Sequence, residues 1–153
     1  MSAQVAGRLL EAGWSLPRPP SALGAYVPAT RAGSLVFTAG QLPLKDGSLV
    51  SSGIVGERVS PEIARRCAEQ AALNALAAAA TVCDLDDVTG VVRLTGYVAS
   101  HPSFTSQPAV VDGASAVMAA AFGDAGAHAR IAVGVASLPM GAPVEVEIVL
   151  ALV

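Results

Sequence analysis

Arg130 stands at the head of an almost wholly apolar run, with Ala129, Ile131, Ala132 and Val133 around it. A guanidinium in that setting keeps its charge and must find an acceptor. Glu145 lies in the next apolar run. If the two runs form a hairpin, Arg130 and Glu145 are expected to share one end of a sheet. A structural Arg–Glu pair, or an arginine simply facing solvent, would account for the same residues. His101 and His128 are the two histidines, and either can move a proton near neutral pH. No Ser/His/Asp spacing accompanies them, and a lone loop histidine is more often only a loop residue.

The other reactive side chains read as structural. Cys67 and Cys83 belong to no C-x-x-C or Cys/His cluster, so both are expected to be buried reduced thiols. Asp84, Asp86 and Asp87 lack the alternate spacing and glycine of a calcium loop, and they suit a turn that ends a helix. The glycines between 33 and 40, and between 123 and 126, match neither a phosphate-binding loop nor a dinucleotide fingerprint. No metal and no cofactor are expected.

The elements that must position these residues follow from pattern. Residues 3–12 suit a short helix with Val5, Leu9 and Ala12 at helical spacing, closed by Gly13. Pro17, Pro19 and Pro20 then force an extended arm, which Trp14 and Leu16 are expected to staple down. Strands are expected over 26–30 and 35–38, and a weak one over 49–55, with Asp46-Gly47 as a turn. Ser60 as N-cap, Pro61 at the first position and Glu62 in the first turn start a helix that should run to about residue 82. Its small residues, Ala64, Cys67, Ala68, Ala71, Ala75 and Ala79, would allow close approach to a sheet. A strand over 91–99 and a helix over 107–122, bent near Gly113, come next. Strands over 130–137 and 144–152 complete the order, and in the last Glu145 and Glu147 alternate with Val144, Val146 and Ile148. This order predicts an α+β fold of two layers, one mainly antiparallel sheet with two helices on one face. All 153 residues are expected to form a single domain, with 1–23 as its arm.

Composition bounds the partners. The chain is 53% hydrophobic and 14% charged, where a typical soluble domain is about 25% charged. Its longest apolar stretch, 71–82, is interrupted by Asn74, so no membrane span is expected. The expected alternative is an oligomer that buries the open face of the sheet. With a net charge of −3 and one lysine, Lys45, there is no basic stripe for nucleic acid. No signal core leads the chain, and a cytoplasmic location is the default expectation.

Several stretches together resemble the Rid family, the YjgF-type reactive-intermediate deaminases also labelled L-PSP endoribonucleases. They are Gly24-Ala25-Tyr26-Val27, Leu35-Val36-Phe37-Thr38-Ala39-Gly40-Gln41-Leu42-Pro43, the 67–76 segment with its Asn74, and Asp84-Leu85-Asp86-Asp87-Val88. The run from Ala129 through Arg130 to Leu138-Pro139 and the closing Val144-Glu145-Val146-Glu147-Ile148 complete the set. The arm and the 107–115 segment mark a divergent, longer branch. The resemblance implies a chorismate-mutase-like homotrimer with clefts between neighbours. It also implies that Arg130 binds a small ligand's carboxylate and that Glu145 activates water against an imine carbon. Tyr26, Ala39, Gly40 and the loop residue His101 would line the cleft. Ala39 replaces a serine frequent in deaminases, Ala132 a cysteine and Pro102 an asparagine. Two functions are therefore weighed: hydrolytic deamination of 2-imino acids or their enamines, and carboxylate binding without turnover. An endoribonuclease is disfavoured by the acidic charge. A mutase of chorismate's dicarboxylate kind is disfavoured because Arg130 alone is a clear cationic candidate.

Overall fold

The structure is a computed structural model and describes residues 2–153. Chain order gives helix α1 (Ala3–Glu11), strands β1 (Ala29–Ala32), β2 (Leu35–Thr38), β3 (Leu44–Lys45) and β4 (Ser48–Leu49), and helix α2 (Pro61–Ala79). Strand β5 (Val88–Ala99), helix α3 (Gln107–Phe122) and strands β6 (Ala129–Val135) and β7 (Val144–Leu152) follow. Five strands form one sheet in the order β1-β2-β7-β5-β6, and β3 and β4 pair as a separate hairpin. The β5–β6 pair is parallel and the other pairs in the large sheet are antiparallel. The α+β reading with a mainly antiparallel sheet holds.

One expectation about topology does not. Strands β6 and β7 form no hairpin, because β5 lies between them. Helix α3 carries the chain back along the sheet after β5, so β6 must run parallel to β5 and takes its outer edge. Strand β7 then joins β5 to β2 from the other side.

Burial follows the alternation of the strands. Val144, Val146, Ile148, Leu150 and Leu152 of β7 are buried, as are Val36 of β2 and Leu94 and Val98 of β5. Helices α2 and α3 cover this face, α2 with Ala64, Cys67, Ala68, Ala71, Ala75 and Leu76 buried. Phe37, Ile131 and Val133 point the other way and stay substantially exposed.

The boundaries that differ have local causes. Pro28 has no N–H for a ladder, so the first strand starts at Ala29 rather than at Tyr26. Residues 49–55 pair only at points, with Gly53 at φ 121°. Helix α2 stops at Ala79 because Thr81 turns its hydroxyl onto the Ala78 carbonyl at 2.7 Å and the chain tightens there. Helix α3 is continuous through Gly113 and shows no break. Gly113 is instead where α3 meets α2, since a Cβ there would collide with the Arg65 carbonyl oxygen.

Helix α1 is held by charge as well as by Val5 and Leu9. The Asp86 carboxylate accepts from the N–H groups of Gln4 and Val5 at 3.2 and 3.0 Å, at the positive end of the helix. Among the described residues no helix is long and apolar enough to cross a membrane.

Two glycines inside helices should therefore respond with opposite signs. Gly113→Ala overpacks the α2–α3 contact and is expected to lower stability by about 2 kcal/mol. Gly7→Ala in α1 meets nothing within 4 Å and should raise stability by up to about 1 kcal/mol. Urea unfolding of both variants checks this. Equal effects would mean that Gly113 is not a contact point.

Candidate functional site

Strand β2 approaches β7 in register until Phe37 opposite Val149, and the two chains next pair at Gln41 opposite Val146. One more residue is spent on the β2 side than on the β7 side, which is a β-bulge. Thr38 makes it possible. Its hydroxyl accepts from the Ile148 N–H at 3.0 Å, taking the place of a backbone partner. The Ala39-Gly40 backbone is thereby pushed against Glu145, whose carboxylate lies where a Gly40 Cβ would stand. Among the described residues the Gly40 N–H has no acceptor. Tyr26 shares a small hollow with Gly40 and Gln41. Ala39, Gly40 and Glu145 are thus brought together, whereas Tyr26 meets Gly40 in a hollow that Glu145 does not line and its hydroxyl accepts from the Leu23 N–H at 3.2 Å.

Glu145 is half-buried on the sheet face away from the helices, beside Glu147. Burial, and secondly the Glu147 charge, push its carboxyl above the ordinary glutamate range. Tyr97 donates to Glu147 at 2.9 Å, and burial and that bond raise the phenol.

Arg130 sits elsewhere. Its partner positions across the sheet are Leu94 and then Ile148, both core residues, so it points to the helix side. Its Nη1 donates to Asp112 Oδ1 at 2.6 Å and to Ser115 Oγ at 3.2 Å, and Nη2 reaches the Pro108 carbonyl at 3.4 Å. The pair is open to water, with side-chain exposures of 24% for Arg130 and 52% for Asp112. Ser115 Oγ lies 2.9 Å from His128 Nε2, and His128 Nδ1 lies 2.6 Å from the Gly126 carbonyl. A carbonyl only accepts, so Nδ1 carries the proton, and in the neutral ring Nε2 accepts from Ser115. The chain of bonds therefore runs from Arg130 through Ser115 to His128 and ends on backbone. His128 is a positioning residue for the arginine.

Arg130 and Glu145 do not meet within the chain. They lie on opposite faces of the sheet, with β5 between their strands. Arg130 is level with Leu94 and Glu145 with Tyr97, which at strand spacings separates their Cα atoms by roughly 14 Å. His101 lines a third place, a cavity of about 400 Å³ at the end of β5 with Gln107, Phe104 and Gly134. Its Nδ1 is taken by Ser103, 2.7 Å from the hydroxyl and 3.1 Å from the N–H. Cys67 is a buried thiol, raised to about 11 by burial. Cys83 is only partly buried and its Sγ contacts the Ala79 carbonyl at 3.3 Å. Among the described residues no three His, Cys, Asp or Glu side chains converge as a metal site.

The family model described as "YjgF/chorismate_mutase-like, putative endoribonuclease" matches residues 6–151. The chain belongs to the YjgF family. It is 38% identical over 148 residues to Protein TCP17 of Trypanosoma cruzi, covering 95% of this chain and 92% of that protein. The crystal structure of Atu1372 from Agrobacterium tumefaciens, a protein of unknown function, superposes with a TM-score of 0.91 at 42% identity, covering 99% of this chain and 94% of the other. RidA from the Antarctic bacterium Psychrobacter superposes less closely, with a TM-score of 0.61 at 28% identity over 88% of this chain and 94% of that one. The gap between these scores fits a branch that diverges from RidA. No motif announces Asp112, yet residues 108, 112 and 115 recur at helical spacing and could have been read as one face turned to Arg130.

The raised carboxyl has a consequence for stability. A folded-state value above the unfolded one means that the protonated form is favoured in the fold. That contribution is present below the unfolded value and is lost as pH rises through the folded one. Glu145→Gln should therefore be more stable than the parent near pH 7.5, and the difference should vanish near pH 4. Thermal melts at the two pH values test this. A variant less stable at pH 7.5 would show that Glu145 is held by partners rather than strained by burial.

Proposed function

We propose that this YjgF-family chain hydrolyses imines or enamines derived from 2-amino acids, at clefts formed between subunits of a homotrimer. The observation that carries the reading is the division of the two charged residues. Glu145 with Gly40 forms one half-site, and Arg130 on the edge strand forms another. A single chain keeps them apart, so a joint site needs a neighbour to supply one half. The exposed apolar residues Phe37, Ile131 and Val133 offer a surface for that neighbour.

In this reading Arg130 binds the substrate carboxylate, an arrangement that suits the planar guanidinium. The Glu145 carboxylate takes a proton from water as its oxygen bonds to the imine carbon. The C=N π electrons go to nitrogen, which is protonated to an amine. Collapse of the carbinolamine then expels ammonia and leaves a 2-keto acid, with the proton returned through Glu145. The free Gly40 N–H is a hydrogen-bond donor beside this carboxylate. A carboxyl raised by burial is a better proton carrier near neutral pH than an ordinary glutamate.

A second reading has its own observation. Asp112 already occupies Arg130 at 2.6 Å, and Ala39, Ala132 and Pro102 make the surroundings less polar than in a typical deaminase. These features favour a trimer that binds carboxylates without turning them over.

The deciding assay generates a 2-imino acid with an amino-acid oxidase and traps survivors with semicarbazide. The parent protein is expected to suppress the semicarbazone. Arg130→Ala should lose about 100-fold of that effect, and Glu145→Gln about 100-fold or more. The rate should rise with pH through an inflection above the ordinary carboxylate range. Unchanged trapping across several amino acids, from folded trimer, would leave the binding reading. Cleavage of RNA by the same preparation, abolished in Arg130→Ala, would replace both.

A further inference from the structure

One cavity belongs to neither half-site. It is a groove of about 750 Å³ between the arm, the β3–β4 hairpin and the outer side of α2, within the size range of small-molecule sites. The arm makes it. Pro17, Pro19 and Pro20 keep 17–20 extended and remove N–H groups that would draw it onto the hairpin. Trp14 and Leu16 pack against the core at its near end. The chain is thus tied down as a strap with space beneath it.

The lining has a definite chemistry. Trp14, Leu23, Leu73 and Met140 supply apolar and aromatic surface, and Arg18 and Lys45 supply cations. Asp46 is the one acid in the lining, which leaves a charge of +1 in a chain whose net charge is −3. Among the described residues neither Arg18 nor Lys45 forms an ion pair. Met140 closes the far side from a turn in which its φ is 61°, a conformation that a side chain other than glycine's seldom takes. Backbone held in such a conformation tends to be kept where it serves a site.

We propose that this groove is a binding site for an amphipathic organic anion, a molecule with an aromatic or aliphatic body and a carboxylate or sulfonate at one end. The body lies against Trp14, Leu23, Leu73 and Met140, and the anionic end meets Arg18 and Lys45. Nothing in this depends on the deaminase reading, because it uses none of that reading's charged residues. The groove does share Pro20, Ser21, Leu23 and Leu44 with the hollow beside Tyr26 and Gly40. An occupant would therefore stand against the wall of that half-site.

Trp14 is the single tryptophan of the chain, so its emission reports directly on the groove. The full chain is titrated with two probes, the anionic 1-anilinonaphthalene-8-sulfonate and the neutral N-phenyl-1-naphthylamine. Both should quench Trp14 saturably, the anion with a Kd on the order of 10 µM. The double variant Arg18→Gln/Lys45→Gln, both exposed positions, should weaken the anion about tenfold and leave the neutral probe unchanged. Ser21→Phe, which fills the groove from an exposed position of the arm, should abolish both. Circular dichroism confirms that each variant is folded. Quenching that does not saturate, or that neither variant alters, would overturn the proposal. So would an equal loss of both probes in the double variant, since charge would then have no part in recognition.

Discussion

A primary amide buried among alanines has to be satisfied where it stands, and Asn74 meets that requirement by taking hold of a different part of the chain. Its Nδ2 donates to the carbonyls of Leu42 and Leu44 at 2.8 and 2.9 Å, and its Oδ1 accepts from Gln70 at 3.0 Å. Losing those two bonds would cost on the order of 1 kcal/mol each, with the Leu42 carbonyl keeping only the Leu44 N–H. The segment after Gly40 is therefore fixed to α2. That anchor lets the Ala39-Gly40 bulge press on Glu145 and sets the β3–β4 hairpin where it walls the groove. Both candidate sites rest on one buried side chain that touches neither reaction chemistry nor ligand charge.

The second constraint is the place of β5 between β6 and β7 in the sheet. Because β5 separates β6 from β7, the two charged residues lie two strands apart, and because Arg130 is level with Leu94 and Glu145 with Tyr97 they point to different sides. A cation on the helix side at an edge strand and a half-buried acid on the open face cannot serve one ligand within one chain. The open face carries Phe37, Ile131 and Val133, all partly exposed.

Much of this was readable from pattern, and the failures are instructive. The strands expected over 35–38 and 144–152 and the helix expected over 107–122 keep their bounds in the structure. The start of α2 follows from Ser60, whose hydroxyl caps the Ile63 N–H. Gly113 was misread as a bend because a helical glycine signals either weak propensity or close contact, and sequence does not say which. The hairpin of β6 and β7 was misread because adjacency along the chain is a prior on adjacency in the sheet and no more. Gly40 and Glu145 were legible as a pair only through family likeness, since the bulge that unites them depends on a Thr38 hydroxyl standing in for backbone. The groove was not legible at all. Its lining comes from the arm, a hairpin, a helix and a turn, which no local pattern connects.

The surroundings of Arg130 bear on how any carboxylate would bind there. Asp112 and Ser115 hold the guanidinium in a fixed direction, and His128 holds Ser115. Fixing the side chain in advance removes rotamer freedom that a ligand would otherwise have to suppress. The same aspartate is a competitor, because a ligand carboxylate approaching Nη1 must displace or share it. Binding is then an exchange of one charge-assisted hydrogen bond for another, and its net strength is smaller than a bare guanidinium would give. Asp112 is half exposed, so water can solvate it once it is displaced, which keeps the exchange feasible. A site built this way favours rapid release over tight capture. Such an exchange lowers affinity in the same way for a carboxylate that is only bound and for one that is turned over.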